Sequence, residues 1–287
     1  MTNIKKTIEL CEQSYKDSIY KIAEEVVNNR DIRLILVAGP SCSGKTTTSS
    51  TISKFVYERA GIKSHTVSID DFYKDVVFLP GETFADKNFE GLDSIDLDLL
   101  HSCLHDLSLG KTVDIPLFDF NRMCRFGNRS TITLGENEIA IVEGLHALNP
   151  AIYENFVEIN RIRRVFLDCR DGDNSNKFER LIRRLVRDRN FRSADAYLTF
   201  TLWEKVITGE EEYIYPFSDE ADFKVNTFHN YETALLKPFA SRLLDEIDKD
   251  NKYFNDAQLV RAYLEKCRDS ISTDLVPFDS LLREFIG

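Results

Sequence analysis

The chain has 287 residues, of which 43% are hydrophobic and 30% charged, and its formal net charge is −11. This composition is ordinary for a globular protein with a sizeable core, and the acidic balance argues against a surface built to bind nucleic acid. The six cysteines form no CxxC pair, and no apolar run approaches membrane-spanning length, so we expect a cytoplasmic protein with reduced thiols and no membrane partner.

The first predicted element is an amphipathic helix over residues 4–27, because its apolar residues recur every three or four positions. We expect it to pack on the flank of the domain or to serve as a docking surface. After this helix, strands are predicted at residues 34–38, 65–69, 112–118, 130–134, 138–144, 163–169 and 221–227. Further helices are predicted at residues 44–59, 96–108, 176–190, 231–248 and 256–267. Ser193 is predicted to be the N-cap of another helix, and Pro238 to cause a break or a kink.

Strands that alternate with helices predict a three-layer α/β fold with a mostly parallel central sheet. We expect three segments: an N-terminal helix at 1–30, a main domain at 31–250 and a C-terminal helical extension at 251–287. The strands near 112–134 predict a small β insertion, and the basic stretch at about 176–210 predicts an arginine-rich helical lid.

Residues 39–46 read Gly-Pro-Ser-Cys-Ser-Gly-Lys-Thr and match the phosphate-binding pattern GxxxxGK[ST] between a strand and a helix. Glycines let the backbone N–H groups turn inward into an anion nest, and the helix N-terminus adds partial positive charge. This pattern predicts a P-loop NTPase fold that binds ATP with Mg²⁺, the Thr46 hydroxyl serving as a metal ligand. The residues predicted to bind the triphosphate are Gly39, Ser41, Ser43, Gly44, Lys45, Thr46 and Thr47.

Two acidic residues follow predicted strands at the edge where parallel sheets bind ligands. Asp70 could orient or deprotonate an acceptor hydroxyl, although the pair Asp70 and Asp71 could also cap a turn. Glu143 ends an apolar strand and could hold the hydration shell of Mg²⁺, or it could be a solvated carboxylate at a strand end.

Arginines are concentrated on one face of the predicted helix at 176–190. Arg180, Arg183, Arg184 and Arg187 follow helical spacing, and Arg192 extends the cluster. Such a cluster could clamp a migrating phosphoryl group as a lid, or it could be a solvated face paired with acids. A nucleic-acid patch is disfavoured, because aromatic residues do not interleave with the arginines.

The segments GPSCSGKTT, SIDDFYKD, DIPLFDFNRMCR, AIVEGLHALNP and RLIRRLVRD occur in this order and together resemble uridine/cytidine kinases of the phosphoribulokinase–uridine kinase group. The resemblance covers roughly residues 34–248. GEEEYIYPFSDEADFKVN, ALLKPFA and LLREFIG are similar to a bacterial branch of uridine kinase-like nucleoside kinases. Some members of that branch carry additional domains similar to those of threonyl-tRNA synthetase.

The resemblance implies roles residue by residue. It places Asp70, Lys45, Arg187 and Arg192 in catalysis and Arg184 with the donor nucleotide. The acceptor-site residues that it implies are Tyr73, Phe89, Glu90, Phe118, Phe120 and Met123. Glu90 stands where the group has an aspartate that holds the ribose hydroxyls.

Three positions depart from the group's pattern. Met123, Ala194 and Leu202 stand where the group has polar residues, including a histidine and a glutamine that contact the base. Arg122 and Arg125 flank Met123 and could supply a different polar contact, or they could be solvated loop residues. The phosphate chemistry is therefore implied to be intact, while the identity of the acceptor stays open.

The leading hypothesis is an ATP-dependent nucleoside 5′-kinase acting on a uridine-like or cytidine-like acceptor. One alternative is a P-loop kinase for another small alcohol, such as a sugar, a sugar phosphate or a vitamin precursor. The other is a regulatory module that binds nucleotide and docks through the helix at 4–27. A homo-oligomer is expected only by analogy with the group.

Overall fold

The computed structural model describes residues 2–82, 87, 90–120, 122–170, 177–267 and 269–287. The strands in these ranges are β1 Leu34–Ala38, β2 Lys63–Ser68, β3 Thr112–Asp119, β4 Cys124–Thr133, β5 Glu138–Glu143, β6 Ile162–Asp168 and β7 Phe223–Asn226. The helices are α1 Thr2–Asn28, α2 Lys45–Ala60, α3 Leu97–Ser108, α4 Pro150–Tyr153, α5 Lys177–Arg192, α6 Ala196–Tyr213, α7 Glu232–Leu244, α8 Phe254–Leu264 and α9 Arg283–Ile286. None of these helices combines the length and the apolarity that a membrane crossing requires.

The central sheet is parallel, with strand order β2–β5–β1–β6–β7, and β3 and β4 form a separate antiparallel hairpin. Every residue of β1 is buried, because the middle strand of a parallel sheet is covered on both faces. The predicted α/β fold, with its mostly parallel sheet and small β insertion, is confirmed.

Alternate residues of β1 enter two different core clusters, as the pleat of a strand requires. Ile35 and Val37 pack with α1, α2, α5, α7 and α8. Leu34 and Leu36 pack with α3 and the hairpin. The sheet is thus the middle of three layers, and its carboxyl edge carries the loops described below.

Helix α1 buries its apolar face against the main core. Ile8, Ile19 and Ile22 belong to the same cluster as Leu281 and Phe285 near the end of the sequence. This agrees with the predicted packing on the flank. The division into segments at residues 30 and 250 stays a prediction.

Two predicted details are wrong, and one of two alternatives is excluded. Strand β4 begins at Cys124 rather than at residue 130. Helix α7 is continuous through Pro238, which excludes a break there, while a kink stays a prediction. The N-cap of α6 is Asp195, whose side chain accepts a hydrogen bond from the Leu198 N–H. Ser193 instead has a positive φ of 53° in the turn before the helix.

Candidate active site

The loop between β1 and α2 has the backbone that its sequence predicts. Gly44 has a φ of 86°, which favours glycine. A Cβ at Gly39 would lie 2.5 Å from the carbonyl oxygen of Leu167, so a side chain cannot fit there. Ser43 is fully buried in the loop, where its carbonyl accepts a hydrogen bond from Thr227 Oγ1 at 2.8 Å. The loop is thus packed against the end of β6 and hydrogen-bonded to Thr227.

Lys45 folds back over this loop. Its Nζ donates hydrogen bonds to the carbonyl oxygens of Gly39 at 2.8 Å and Pro40 at 3.2 Å. Burial lowers the pKa of Lys45, while the nearby carboxylates of Glu143 and Asp70 oppose that shift. The ammonium group is therefore held beside the loop by contacts that an incoming phosphate can replace.

A cavity of about 820 Å³ opens over the loop at the carboxyl edge of the sheet. It brings together most of the predicted site residues, which come from distant parts of the sequence. The predicted residues on its wall are Ser41, Lys45, Thr46, Asp70, Tyr73, Glu90, Phe120, Glu143, Arg184, Arg187 and Arg192.

Asp70 and Glu143 lie at the ends of neighbouring strands. Asp70 is in a short 3₁₀ helix directly after β2, and Ser68 pairs in register with Glu143 at the end of β5. Ser68 Oγ donates a hydrogen bond of 3.0 Å to Glu143 Oε1. Burial raises the pKa of Asp70, which Lys45 opposes; burial also raises the pKa of Glu143, and Asp70 adds to that increase.

The oxygen atoms of Thr46 and Glu143 fit a magnesium ion, which prefers hard oxygen ligands. A divalent cation here would relieve the desolvation and mutual repulsion of the two buried carboxylates. Within the described ranges, no group of three or more His, Cys, Asp or Glu side chains is arranged to bind a metal. Such a sparse donor set suits Mg²⁺, which usually keeps waters and takes further oxygens from phosphate.

Asp71 has a structural role that separates it from Asp70. It forms a bidentate pair with Arg129 of β4 and accepts a hydrogen bond from the Phe118 N–H at 3.3 Å. These bonds fasten the turn after β2 to the hairpin, so the neighbouring Asp70 is left to face Lys45 and the cavity. Nothing in the local sequence indicates Arg129 as the partner.

The arginine cluster of α5 divides into a buried pair and a group of three on the cavity wall. Arg180 and Arg183 are fully buried and contact Glu210 at 2.6 Å and Glu232 at 2.6 Å. They are therefore neither a solvated face nor part of the cavity wall, in contrast to the expectation of one shared lid surface. Arg183 Nη1 also donates to the Cys42 carbonyl at 3.1 Å, which supports the phosphate loop from behind.

Arg184, Arg187 and Arg192 line the cavity, and one buried carboxylate organises all three. Asp188 oxygens lie 3.2 Å from Arg184 Nε, 3.9 Å from Arg187 Nε and 3.4 Å from Arg192 Nη1. Burial lowers the pKa of Arg192, and the neighbouring Arg187 adds to the decrease. Arg184 also donates to Ser41 Oγ at 3.0 Å, which joins α5 to the loop.

Aromatic rings form one side of the cavity. Tyr73 and Phe120 lie on its wall, with ring centroids 6.0 Å apart. Phe118 contacts both rings from behind, at 5.5 Å and 5.0 Å, and is itself buried in the core. Phe89 lies outside the described residues.

Met123 also lies behind the wall rather than on it. It has a positive φ of 55°, and its side chain is buried in the core cluster of the hairpin. Arg125 pairs with Asp96 at 2.9 Å, and Arg122 stacks on the Phe126 ring at 4.4 Å. Neither arginine lines the cavity that the described residues form, so of the two alternatives left open the cavity gives no support to a polar contact with the acceptor.

Glu90 is the acid on the aromatic side of the cavity. Burial raises its pKa to about 7, and Arg184 opposes the increase. A Cβ at Gly209 of α6 would lie 2.5 Å from Glu90 Cβ, so the Glu90 stem rests directly on the helix backbone. The next residue, Glu210, accepts a hydrogen bond from the Ser41 N–H of the phosphate loop.

The sequence analysis did not identify Gly209 or Glu210 as site residues. Glu210 is one of three consecutive glutamates, and no local signal distinguishes it from the other two.

The comparisons with known proteins agree with this geometry. The family model described as Phosphoribulokinase / Uridine kinase family matches residues 34–234. The chain belongs to this family. A uridine kinase of Staphylococcus epidermidis is 30% identical over 193 residues, which cover 66% of this chain and 84% of that protein. A uridine kinase of Schizosaccharomyces pombe is 36% identical over 170 residues, which cover 58% of this chain and 34% of that protein.

Solved structures share the fold. A possible uridine kinase from Bacillus stearothermophilus covers 73% of this chain and 98% of its own, with a TM-score of 0.51 and 16% identity. A protein of Silicibacter sp. TM1040 assigned as a fructose transport system kinase covers 68% and 95%, with a TM-score of 0.51 and 19% identity. At such identities the likeness concerns the fold alone. With the family match, the chain is a uridine kinase-like phosphotransferase.

Proposed function

We propose that this chain transfers the γ-phosphoryl group of ATP to the 5′-hydroxyl of a nucleoside. The observation that carries the proposal is the position of Asp70, which lies between the Lys45 side of the cavity and its aromatic side. A hydroxyl held between Tyr73 and Asp70 would face the phosphate loop. The uridine kinases among the relatives support a nucleoside as the acceptor.

The donor is held by the loop and the lid together. Lys45 contacts the β- and γ-phosphates in place of its own loop carbonyls, with the loop N–H groups around them. Thr46 and Glu143 would hold Mg²⁺, directly and through water, and the ion neutralises charge on the phosphate oxygens when it is bound.

Asp70 acts on the acceptor. Its carboxylate orients the hydroxyl and takes the proton as the new O–P bond forms and the bond between the γ-phosphorus and the bridging oxygen breaks, which releases ADP. The raised pKa of Asp70 makes it a better proton acceptor than an exposed aspartate. Arg184, Arg187 and Arg192 stabilise the negative charge of the migrating group.

The rest of the acceptor lies on the aromatic side. Glu90, Tyr73 and Phe120 line this side of the cavity. In the proposed function Glu90 accepts hydrogen bonds from two neighbouring hydroxyls, such as those of a ribose, and the two rings supply faces for a base. These roles rest on positions along the cavity wall.

A second candidate is a kinase for a different small alcohol. The apolar wall favours it, because Ala194 and Leu202 line the cavity where a base-reading contact is expected, and Met123 is buried behind the wall. A site without polar readers discriminates weakly between bases.

One experiment separates these functions. Purified protein, ATP and Mg²⁺ are incubated with uridine, cytidine, purine nucleosides, ribose, fructose and glycerate, and ADP formation is measured beside product identification. We expect 5′-phosphorylated pyrimidine nucleosides. A strong response to a sugar with none to any nucleoside would overturn the acceptor class. Binding of ATP with no transfer to any acceptor would favour the regulatory module instead.

A further inference from the structure

Residues 280–287, which we call the C-terminal strap, cross the outside of the phosphate loop. Leu281 is fully buried, and a Cβ at Gly44 would lie only 2.5 Å from Leu281 Cδ1. The strap is fixed at both ends: Ser280 Oγ donates to Glu12 Oε1 of α1 at 2.5 Å, and Asn190 Nδ2 donates to the Phe285 carbonyl at 2.9 Å. A segment far away in the sequence thus forms part of the loop's surroundings.

Glu284 of the strap bridges the two elements that hold the donor in the proposed function. Its Oε2 accepts a hydrogen bond from Thr47 Oγ1 in the first turn of α2, at 2.7 Å. Its Oε1 lies 3.7 Å from Nη1 of the lid residue Arg187. A carboxylate between a helix N-terminus and a guanidinium occupies a place that suits a phosphate oxygen.

The charge of Glu284 reaches into the site. Its carboxylate contacts Thr47, in the first turn of α2, and Arg187, which lines the cavity. A triphosphate bound on the loop would therefore meet a fixed negative charge beside Thr47. That charge opposes donor binding, while it also holds Arg187 against α2.

We propose that Glu284 is a built-in competitor of the donor's phosphates, which pairs with Thr47 and Arg187 and weakens the binding of nucleotide. This inference rests on the proposed function, because it requires the triphosphate to bind at the loop. Binding of the donor repels the carboxylate from Arg187 and transfers that guanidinium to phosphate. The arrangement limits the affinity for both ATP and ADP, and so favours release of the product.

The test is the neutral variant Glu284→Gln, which keeps an oxygen acceptor for the Thr47 hydroxyl. Equilibrium binding of Mg·ATP, Mg·ADP and inorganic tripolyphosphate is measured by calorimetry at two ionic strengths. We expect each to bind roughly three- to tenfold more tightly than in the unchanged protein, with the gain shrinking at high salt. If the substitution only disturbed packing, the affinity for these ligands would fall. Tighter binding therefore indicates that the charge of Glu284 opposes them.

Glu246→Gln is the matched control. Glu246 pairs with Arg189 of the same helix α5, but its side chain is 41% exposed, against 19% for Glu284, and Arg189 does not line the cavity that the described residues form. We expect its affinities to stay within about twofold of the unchanged protein, because exposed charges are screened. Glu284→Asp keeps the charge and should not reproduce the gain.

The outcomes are distinct. Unchanged or weaker binding of all three ligands to Glu284→Gln would overturn the proposal, as would an equal gain in Glu246→Gln. If Glu284→Gln does not fold, Glu284→Ala is the second neutral variant, and the same criteria apply. If the unchanged protein binds tripolyphosphate but not Mg·ATP, the proposed function fails while the charge effect of Glu284 is still measured with tripolyphosphate.

Discussion

The Glu210 carboxylate accepts a hydrogen bond from the backbone N–H of Ser41 at 2.7 Å. Glu210 belongs to α6 and is fully buried, and the same oxygen, Oε1, accepts a hydrogen bond from Arg180 Nη1 at 2.6 Å. The buried ion pair of Glu210 and Arg180 therefore links α5 and α6 to the phosphate loop, in addition to the hydrogen bond from Arg184 to Ser41.

We predict that Glu210→Gln destabilises the protein, because it removes the carboxylate that the buried guanidinium of Arg180 contacts. Breaking a buried pair on one side typically costs about 3–5 kcal/mol in the free energy of unfolding. Urea denaturation followed by circular dichroism measures the loss. Glu211→Gln is the control. Glu211 follows Glu210 in the sequence, but its side chain is 63% exposed and pairs with Lys177. Equal stability of the two variants would contradict the structural role.

Asp70→Asn should abolish most of the transfer while leaving donor binding intact. Amide nitrogen cannot accept the hydroxyl proton, and general base catalysis contributes roughly 10²- to 10⁴-fold to rates. We expect kcat to fall by about that factor, with the Kd for Mg·ATP within about threefold of the unchanged protein. Full turnover by this variant would remove Asp70 from its proposed role. Asp71→Asn is the informative neighbour, because it should reduce stability through the loss of the Arg129 pair.

Glu90 should give the affinity for the acceptor a pH dependence near neutrality. Its pKa of about 7 means that the carboxylate, which is the better acceptor for hydroxyl groups, forms only as the pH rises through that value. We expect KM for the acceptor to fall as the pH is raised from about 6 to about 8, and Glu90→Gln to remove this trend. A trend that persists in Glu90→Gln would assign it to another group.

The raised pKa of Glu90 also makes the stability of the protein depend on pH. Raising the pH should strengthen acceptor binding but lower the free energy of unfolding. The folded protein keeps the Glu90 proton up to about pH 7, whereas the unfolded chain loses it near 4.5. Between these values the folded state binds more protons, so the free energy of unfolding falls as the pH rises. Thermal melts of Glu90→Gln should show a weaker decline over this window than those of the unchanged protein.

Gly209→Ala should weaken binding of the acceptor without affecting binding of ATP. The added methyl group would lie 2.5 Å from Glu90 Cβ, so the Glu90 segment must move away from α6. Because overpacking of this kind costs about 1–3 kcal/mol, we expect KM for the acceptor to rise by roughly tenfold. Steady-state kinetics with each substrate varied will test this, with Thr208→Ala on the exposed face of α6 as the control. A rise confined to KM for ATP would contradict the assignment.

Local sequence signals predicted the parts of the fold and site that depend on neighbouring residues. The phosphate loop follows from a short motif between a strand and a helix, and Asp70 and Glu143 follow from the rule that parallel strands end at one edge. The start of strand β4 could not be predicted from local signals, because its first residues are mostly exposed and polar. No alternation of apolar residues marks them.

The parts that could not be predicted depend on partners far away in the sequence. Arg180 and Arg184 look equivalent by helical spacing, but Arg180 is buried because Glu210 meets it from another helix. By resemblance, Met123 stands at a position that contacts the base. In the structure its backbone is left-handed and its apolar side chain is buried in the core. Burial of this kind is decided by tertiary packing.

The C-terminal strap also affects when the site can mature during synthesis. Thr47 and Glu284 are 237 residues apart in sequence. A ribosome adds about 5–20 residues per second, so the loop waits roughly 10–50 s for the segment that covers it. Throughout that interval the nascent chain carries Gly44 without Leu281 against it. The nucleotide pocket is thus completed only after the strap has been translated, 237 residues beyond the loop that it covers.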